Sequence, residues 1–282
     1  MTAGVRAFSS VESFQQTHQQ FSGRQRFYKQ VSVDEATCSV LEDSVSPRYK
    51  ILLDGRELRT PARNNLHLPC QEMALMVASE WDAQVDRKRG IQPATMPFTT
   101  LSATAIDQVS TDEGRERALS TCLGYLPTDT LLFFTEERDR ILLKKQKKHY
   151  EPLLNWFHAS GVPLSRTDGG MVARVKHPQE VYNRIGAYVA SLDHFELALL
   201  QAATLECKSI LLAIALLCGK LPFAEATLVS RLEEEFQVEI WGVVEGGHDM
   251  DRLNNKVNLG SIVSFHRLYS ASTGRQMLLH LE

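Results

Sequence analysis

Residues 197–218 read LALLQAATLECKSILLAIALLC, and a run this apolar has only two resting places, a bilayer or a protein core. Gln201, Glu206 and Lys208 lie inside it, and a charge near mid-bilayer costs about 2.5–3.5 kcal/mol. The run is therefore predicted to be one buried core helix. Gly219 and Pro222 stop it, by the usual placing of glycine just past a helix and proline soon after.

Ahead of that run the chain changes character once. From Arg26 to Thr60 the pattern is that of strands: Phe27 to Val33 alternates partly at period two, and Tyr49 to Leu53 leads through Asp54-Gly55 into Arg56-Glu57-Leu58. Asp-Gly between such runs signals a two-residue hairpin, because a type I′ turn needs positive φ at both central residues. Leu66-His67-Leu68 adds a short strand, and Pro69 suits the first position of a helix running to Val85. In that helix Met73, Ala74, Val77, Ala78, Trp81 and Val85 form an apolar stripe, with Glu80 and Asp82 on other faces. Beyond Pro93 and Pro97 helices are predicted almost throughout, over about 99–109, 113–123, 138–160, 178–193, 196–217, 223–240 and 249–269. The fold class is thus α+β. A targeting or disordered segment occupies 1–25, a small antiparallel β-rich domain with one helix 26–92, and a larger α-helical domain 93–282.

The 31 Lys and Arg against 34 Asp and Glu leave a net charge of −3, without the overall basic field that drives nucleic-acid binding. Cys38, Cys70, Cys122, Cys207 and Cys218 are odd in number, scattered and without a Cys-x-x-Cys pair, so reduced, mostly buried thiols are expected. No phosphate-binding glycine loop, nucleophile elbow or dinucleotide fingerprint is present. His248-Asp249 is the dipeptide of helical metal phosphohydrolases, with His194 and Asp251 as further nominees, but a lone His-Asp pair is frequent by chance. The basic run Lys144 to Lys148 reads as a solvated helix face, with docking onto an acidic partner or an anionic lipid as the alternative. Residues 1–30 carry Arg6, Arg24, Arg26 and Lys29 against the single acid Glu12, the composition of a mitochondrial transit peptide. Arg6-Ala7-Phe8-Ser9-Ser10 fits processing after Phe8, and a leader so short points to a natural start further upstream.

Residues 231–251 hold seven acids against Arg231, a formal charge of about −6, a local field that favours a basic partner. The helix predicted there buries Leu228, Val229, Leu232, Phe236 and Ile240, with Glu233 and Glu234 projecting away. Trp241 falls on the opposite side, and an exposed tryptophan suits a binding anchor. Glu245 follows Val243-Val244 and precedes Gly246-Gly247, where the backbone turns, and Asp249 suits the cap of the next helix.

Glu234, Glu235, Gln237, Trp241-Gly242, Val244-Glu245 and His248-Asp249, with Arg26-Phe27-Tyr28 and Ser79 to Gln84, resemble the Atp12 family of mitochondrial F1-ATPase assembly factors. Leu52 to Pro61 is similar to the family's hairpin and Thr-Pro exit, and Asp129-Thr130 recurs before a short apolar run. These motifs keep their order across residues 26–270. The resemblance implies a small β-rich domain joined to a larger helical one. It implies a non-enzymatic chaperone of the mitochondrial matrix that needs no cofactor, is monomeric when free, and neither inserts stably in a membrane nor binds nucleic acid. Its partner would be the unassembled F1 α subunit, whose β-facing surface it would shield. Carried over by position, the partner-binding residues are Glu245 first, then Asp249 and Trp241, with His248 and Glu234. Glu239 falls where the family varies, Gly246-Gly247 departs from the bulkier residue of many members, and Trp81 is assigned to folding. The alternative is a small-molecule or metal-dependent enzyme with its site in the cleft between the two domains.

Overall fold

The computed structural model describes residues 25–36, 48–85, 90–136, 139–167, 174–242 and 248–279. The chain forms two compact units, Met1–Arg117 with Arg267–Arg275, and Ala118–His266 with Gln276–Glu282. The expected α+β class holds: a four-stranded sheet comes first and ten α-helices follow among the described residues.

In the first unit β2 (Arg48–Leu53) is the central strand, antiparallel to β1 (Val31–Ala36), β3 (Arg56–Glu57) and β4 (His67–Leu68). The turn between β2 and β3 has φ of 48° at Asp54 and 78° at Gly55, as the Asp-Gly signal requires. The Asp54 carboxylate also accepts the backbone N–H groups of Gln30 (2.8 Å) and Lys29 (3.0 Å), and these bonds hold its carboxyl below the usual range. Helix α1 (Gln71–Asp82) begins two residues later than predicted, because Cys70 stays extended as its N-cap (φ −146°). Met73, Ala74, Val77, Ala78 and Trp81 are buried as the stripe demands, whereas Val85 lies past the helix end and is exposed.

Glu80, on another face of α1 than the stripe, is buried as well. Its carboxylate accepts the backbone N–H groups of Phe98 (2.6 Å) and Thr99 (2.7 Å) and the Thr99 hydroxyl (2.7 Å). Those are free donors in the first turn of α2 (Pro97–Thr104), which continues as a π-helical turn over Ala105–Val109. A side chain from a neighbouring helix thus supplies the cap that α2 lacks locally. Burial pushes the Glu80 carboxyl up to about 7 despite these bonds. With the folded value raised, its contribution to stability is full below the unfolded value of 4.5 and is lost as pH rises through about 7. Glu80→Gln is expected to flatten the stability profile across that window and to cost about 1–3 kcal/mol at pH 8 by orphaning a buried donor. Urea denaturation at a series of pH values checks this, and an unchanged profile would remove Glu80 from the capping role.

The second unit holds the C-terminal end of α3 (Asp112–Gly124), then α4 (Arg140–Ala159), α5 (Gln179–Ser191), α6 (His194–Cys207), α7 (Ile210–Leu217), α8 (Phe223–Val229), α9 (Leu232–Trp241) and α10 (His248–Thr273) up to His266. The apolar run is buried as expected, but it is two helices. Lys208 turns left-handed (φ 53°) between α6 and α7. The break exposes the first N–H groups of α7, and Asp129, fully buried, fills them: it accepts from Leu211 N (3.0 Å), the Ser209 hydroxyl (2.7 Å) and Leu131 N (3.1 Å). Burial pushes its carboxyl up to about 6.

The two charged residues of the run are paired as well. Glu206 accepts from the side-chain amides of Asn255 and Asn258 on α10, each at 3.0 Å, and the Lys208 ammonium reaches out to Glu234 at 2.8 Å. The stretch predicted as one helix over 223–240 likewise breaks, where Arg231 leaves helical backbone (φ −120°, ψ 14°). No helix among the described residues is long and apolar enough to cross a membrane. Cys70, Cys122 and Cys207 are free and buried, and Cys218 is half-buried. Burial pushes the Cys122 thiol up to about 12, and Cys38 lies outside the described residues.

Candidate functional site

Most motif residues that carry the family resemblance are occupied inside the fold. The Arg26 guanidinium donates to the Asp82 carboxylate (3.1 Å) and to the backbone carbonyls of Asp82 (2.8 Å) and Tyr28 (3.1 Å). It also lies 4.7 Å from the centre of the Tyr28 ring. The Tyr28 hydroxyl donates to the Trp81 carbonyl (2.6 Å), the two rings are 5.7 Å apart, and burial pushes that hydroxyl up to about 12. Arg26-Phe27-Tyr28 and Ser79 to Gln84 are therefore two halves of one packing unit. Gln84 donates to the Glu80 carbonyl and the Thr95 hydroxyl and accepts from Gln92 N. Thr60 donates to Asp107 at 2.5 Å, which also binds Ala62 N and the Asn64 amide.

The C-terminal motif divides between bound and free residues. On α9, Glu234 pairs with Lys208 (2.8 Å) and Arg231 (3.0 Å), and Glu239 with Lys145 of the basic run. Arg252 of α10 grips both oxygens of Glu235, at 2.5 and 2.8 Å, and holds that carboxyl below the usual range. Glu233 does not project outward as expected: it is half-buried, accepts from the Gln146 amide at 2.8 Å, and burial pushes its carboxyl up. Lys145, Lys208 and Arg252 thus offset about half of the formal charge of this stretch, in which Arg231 is already counted.

What remains free is largely apolar. Trp241 is 77% exposed at the end of α9, and Ile240, predicted to be buried, is 56% exposed beside it. Of the predicted stripe only Val229 and Leu232 are buried; Leu228 is exposed and Phe236 half-buried. Gly242 (φ 84°) ends the helix there. On α10, Met250, Leu253 and Val257 are each about half exposed, and their spacing of three and four places them on one face. Asn255, Leu259, Ile262 and Phe265 bury the opposite one. That free stripe escaped the sequence reading, although its spacing is visible there.

Asp249 is exposed, and its carboxylate lies 3.3 Å from Arg252. Since Arg252 also clamps Glu235, one guanidinium fixes α9 against α10 and sets the two free apolar groups relative to each other. Glu245, with residues 243–247, lies outside the described residues, as does the side chain of His248. In the chain they fall between Gly242 and Asp249, both of which are exposed. Among the described residues no group of three or more His, Cys, Asp or Glu could hold a metal ion.

Residues 25–158 match the family model described as ATP12 chaperone protein. Protein atp12, mitochondrial, of Schizosaccharomyces pombe is 33% identical over 225 residues, covering 76% of this chain and 76% of that protein. Protein ATP12, mitochondrial, of Saccharomyces cerevisiae is 27% identical over 281 residues, covering 86% and 84%. The crystal structure of Atp12 from Paracoccus denitrificans superposes with a TM-score of 0.73 at 29% identity, covering 87% of this chain and 98% of that one.

Proposed function

The chain belongs to the ATP12 chaperone family, and on that premise we propose that it holds the unassembled α subunit of the mitochondrial F1-ATPase, in the matrix, until a β subunit takes its place. The observation that carries this reading is the free apolar group formed by Ile240 and Trp241 on α9 and Met250, Leu253 and Val257 on α10. Exposed apolar surface of this kind marks an interaction site in a soluble protein, and tryptophan is among the residue types that most often anchor one.

Asp249 and Asp251, both exposed, supply an acidic rim, and by position in the chain Glu245 falls between α9 and α10 and His248 at the first residue of α10. Glu234, held by Lys208 and Arg231, contributes charge rather than reach. Capture and release of this sort needs only reversible burial of the client's subunit interface; no bond is made or broken. The acidic rim steers a basic client surface, and the apolar stripe supplies the affinity.

Glu245→Lys tests the rim. It is expected to leave the free energy of unfolding within about ±0.5 kcal/mol, and to cut the α subunit recovered with the chain about tenfold, near 1.4 kcal/mol. Recovery of soluble α equal to that with the wild-type chain would remove Glu245 from the site.

A further inference from the structure

Next to the free stripe, α4, α8, α9 and α10 enclose an open cleft of about 520 Å³, within the size range of ligand clefts. Its apolar lining is Ala224, Leu228 and Leu232, and Leu228 is 46% exposed there. Basic residues surround this lining, but most are already committed. Lys145 pairs with Glu239, Arg231 and Arg252 with Glu235, and His149 lies 3.3 Å from Glu225. Lys148 and Lys256 differ. Both line the cleft, both are exposed, and among the described residues neither makes an ion pair. The Arg252 and Lys256 side of α10 is about 100° round the helix from Leu253 and Val257, so the cleft is a second surface beside the first.

Two free ammonium groups flanking an exposed leucine define a mixed chemistry. The guanidinium forks that suit phosphate best are both bound to Glu235 here, and phosphate leaves the apolar lining unfilled. A flat anionic membrane cannot enter a concave cleft. A polypeptide segment with carboxylates on either side of an aliphatic side chain satisfies both halves of the lining. We propose that this cleft takes an acidic, leucine-bearing segment of the client polypeptide, its carboxylates on Lys148 and Lys256 and its aliphatic side chain against Leu228 and Leu232. The identity of the client rests on the chaperone reading above; the chemistry of the segment does not.

The test uses the full chain and a fluorescein-labelled peptide of about twelve residues with leucines at helical spacing and glutamates between them, followed by anisotropy. Binding is expected to weaken as salt rises, to fall at least about tenfold for the Lys148→Glu, Lys256→Glu double variant, and to persist in the Lys148→Arg, Lys256→Arg variant. A peptide with glutamine in place of glutamate is expected to bind at least about tenfold more weakly. Equal binding of the glutamine peptide, equal binding by the charge-reversed variant, no binding by the wild-type chain, or equal displacement by inorganic phosphate would each overturn the proposal. Capture of the α subunit is measured in parallel. If α is captured while the peptide result fails, the cleft assignment is wrong and the chaperone reading stands; if the peptide result holds and α is not captured, the reverse follows.

Discussion

Trp81→Arg is expected to leave most of the chain insoluble, and the soluble remainder to melt at least about 10 °C below wild type. Trp81 is 1% exposed on α1, its ring 5.7 Å from the tilted ring of Tyr28, whose hydroxyl donates to the Trp81 carbonyl. Removing a large aromatic from a core costs about 3–5 kcal/mol, and an unpaired buried guanidinium adds to that. Against a total stability of about 5–15 kcal/mol, such a loss unfolds a substantial fraction of the chain. The first unit would fail as a whole, because Arg26, Tyr28, Trp81 and Asp82 hold one another. Trp81→Phe, which keeps a ring in place, is expected to lose much less. Soluble fraction and thermal melting measure both. A Trp81→Arg chain that stayed soluble with a wild-type melt but lost the α subunit would make Trp81 a contact residue instead.

Trp241→Asp combined with Leu253→Asp is expected to reduce capture of the α subunit by about a hundredfold or more while leaving stability unchanged. Each residue is more than half exposed, so the fold loses little, within about ±0.5 kcal/mol. Anchors of an interface, in contrast, cost about 2 kcal/mol or more each when removed, and two of them amount to well over a hundredfold in affinity. Co-expression of the client with the variant, scored as soluble α subunit, checks the first half, and urea denaturation checks the second. A double variant that kept α soluble would move the client surface away from the ends of α9 and α10.

The parts of this fold that could be read from the residues are those set by near neighbours in the chain. The Asp54-Gly55 turn follows from two positive φ angles, and the burial of Trp81 from a stripe at helical spacing. The exposure of Trp241 follows from its place opposite Leu232, which α9 buries. Distant partners decide the rest. Burial of the apolar run was dictated by its composition, but its break at Lys208 has no glycine or proline to announce it. That break depends on Asp129, 80 residues before Ser209.

The burial of Glu80 has no signal in its own segment, because the N–H groups it accepts from belong to α2, 18 and 19 residues further on. The acidic field near the C-terminus was overestimated for the same reason: Glu239 is neutralised by Lys145, 94 residues away. The stripe of Met250, Leu253 and Val257 was missed because α10 is apolar on two faces, and spacing alone does not say which face finds a neighbour. Glu245 rests on the motif match alone.

Affinity capture of the tagged wild-type chain from a mitochondrial extract, with the eluate quantified by mass spectrometry, tests the central claim most directly. The account predicts the F1 α subunit near one-to-one with the chain and without a matching amount of β subunit, because β is what displaces the chaperone. An eluate without enriched α subunit, or with α and β in equal amounts, would contradict it.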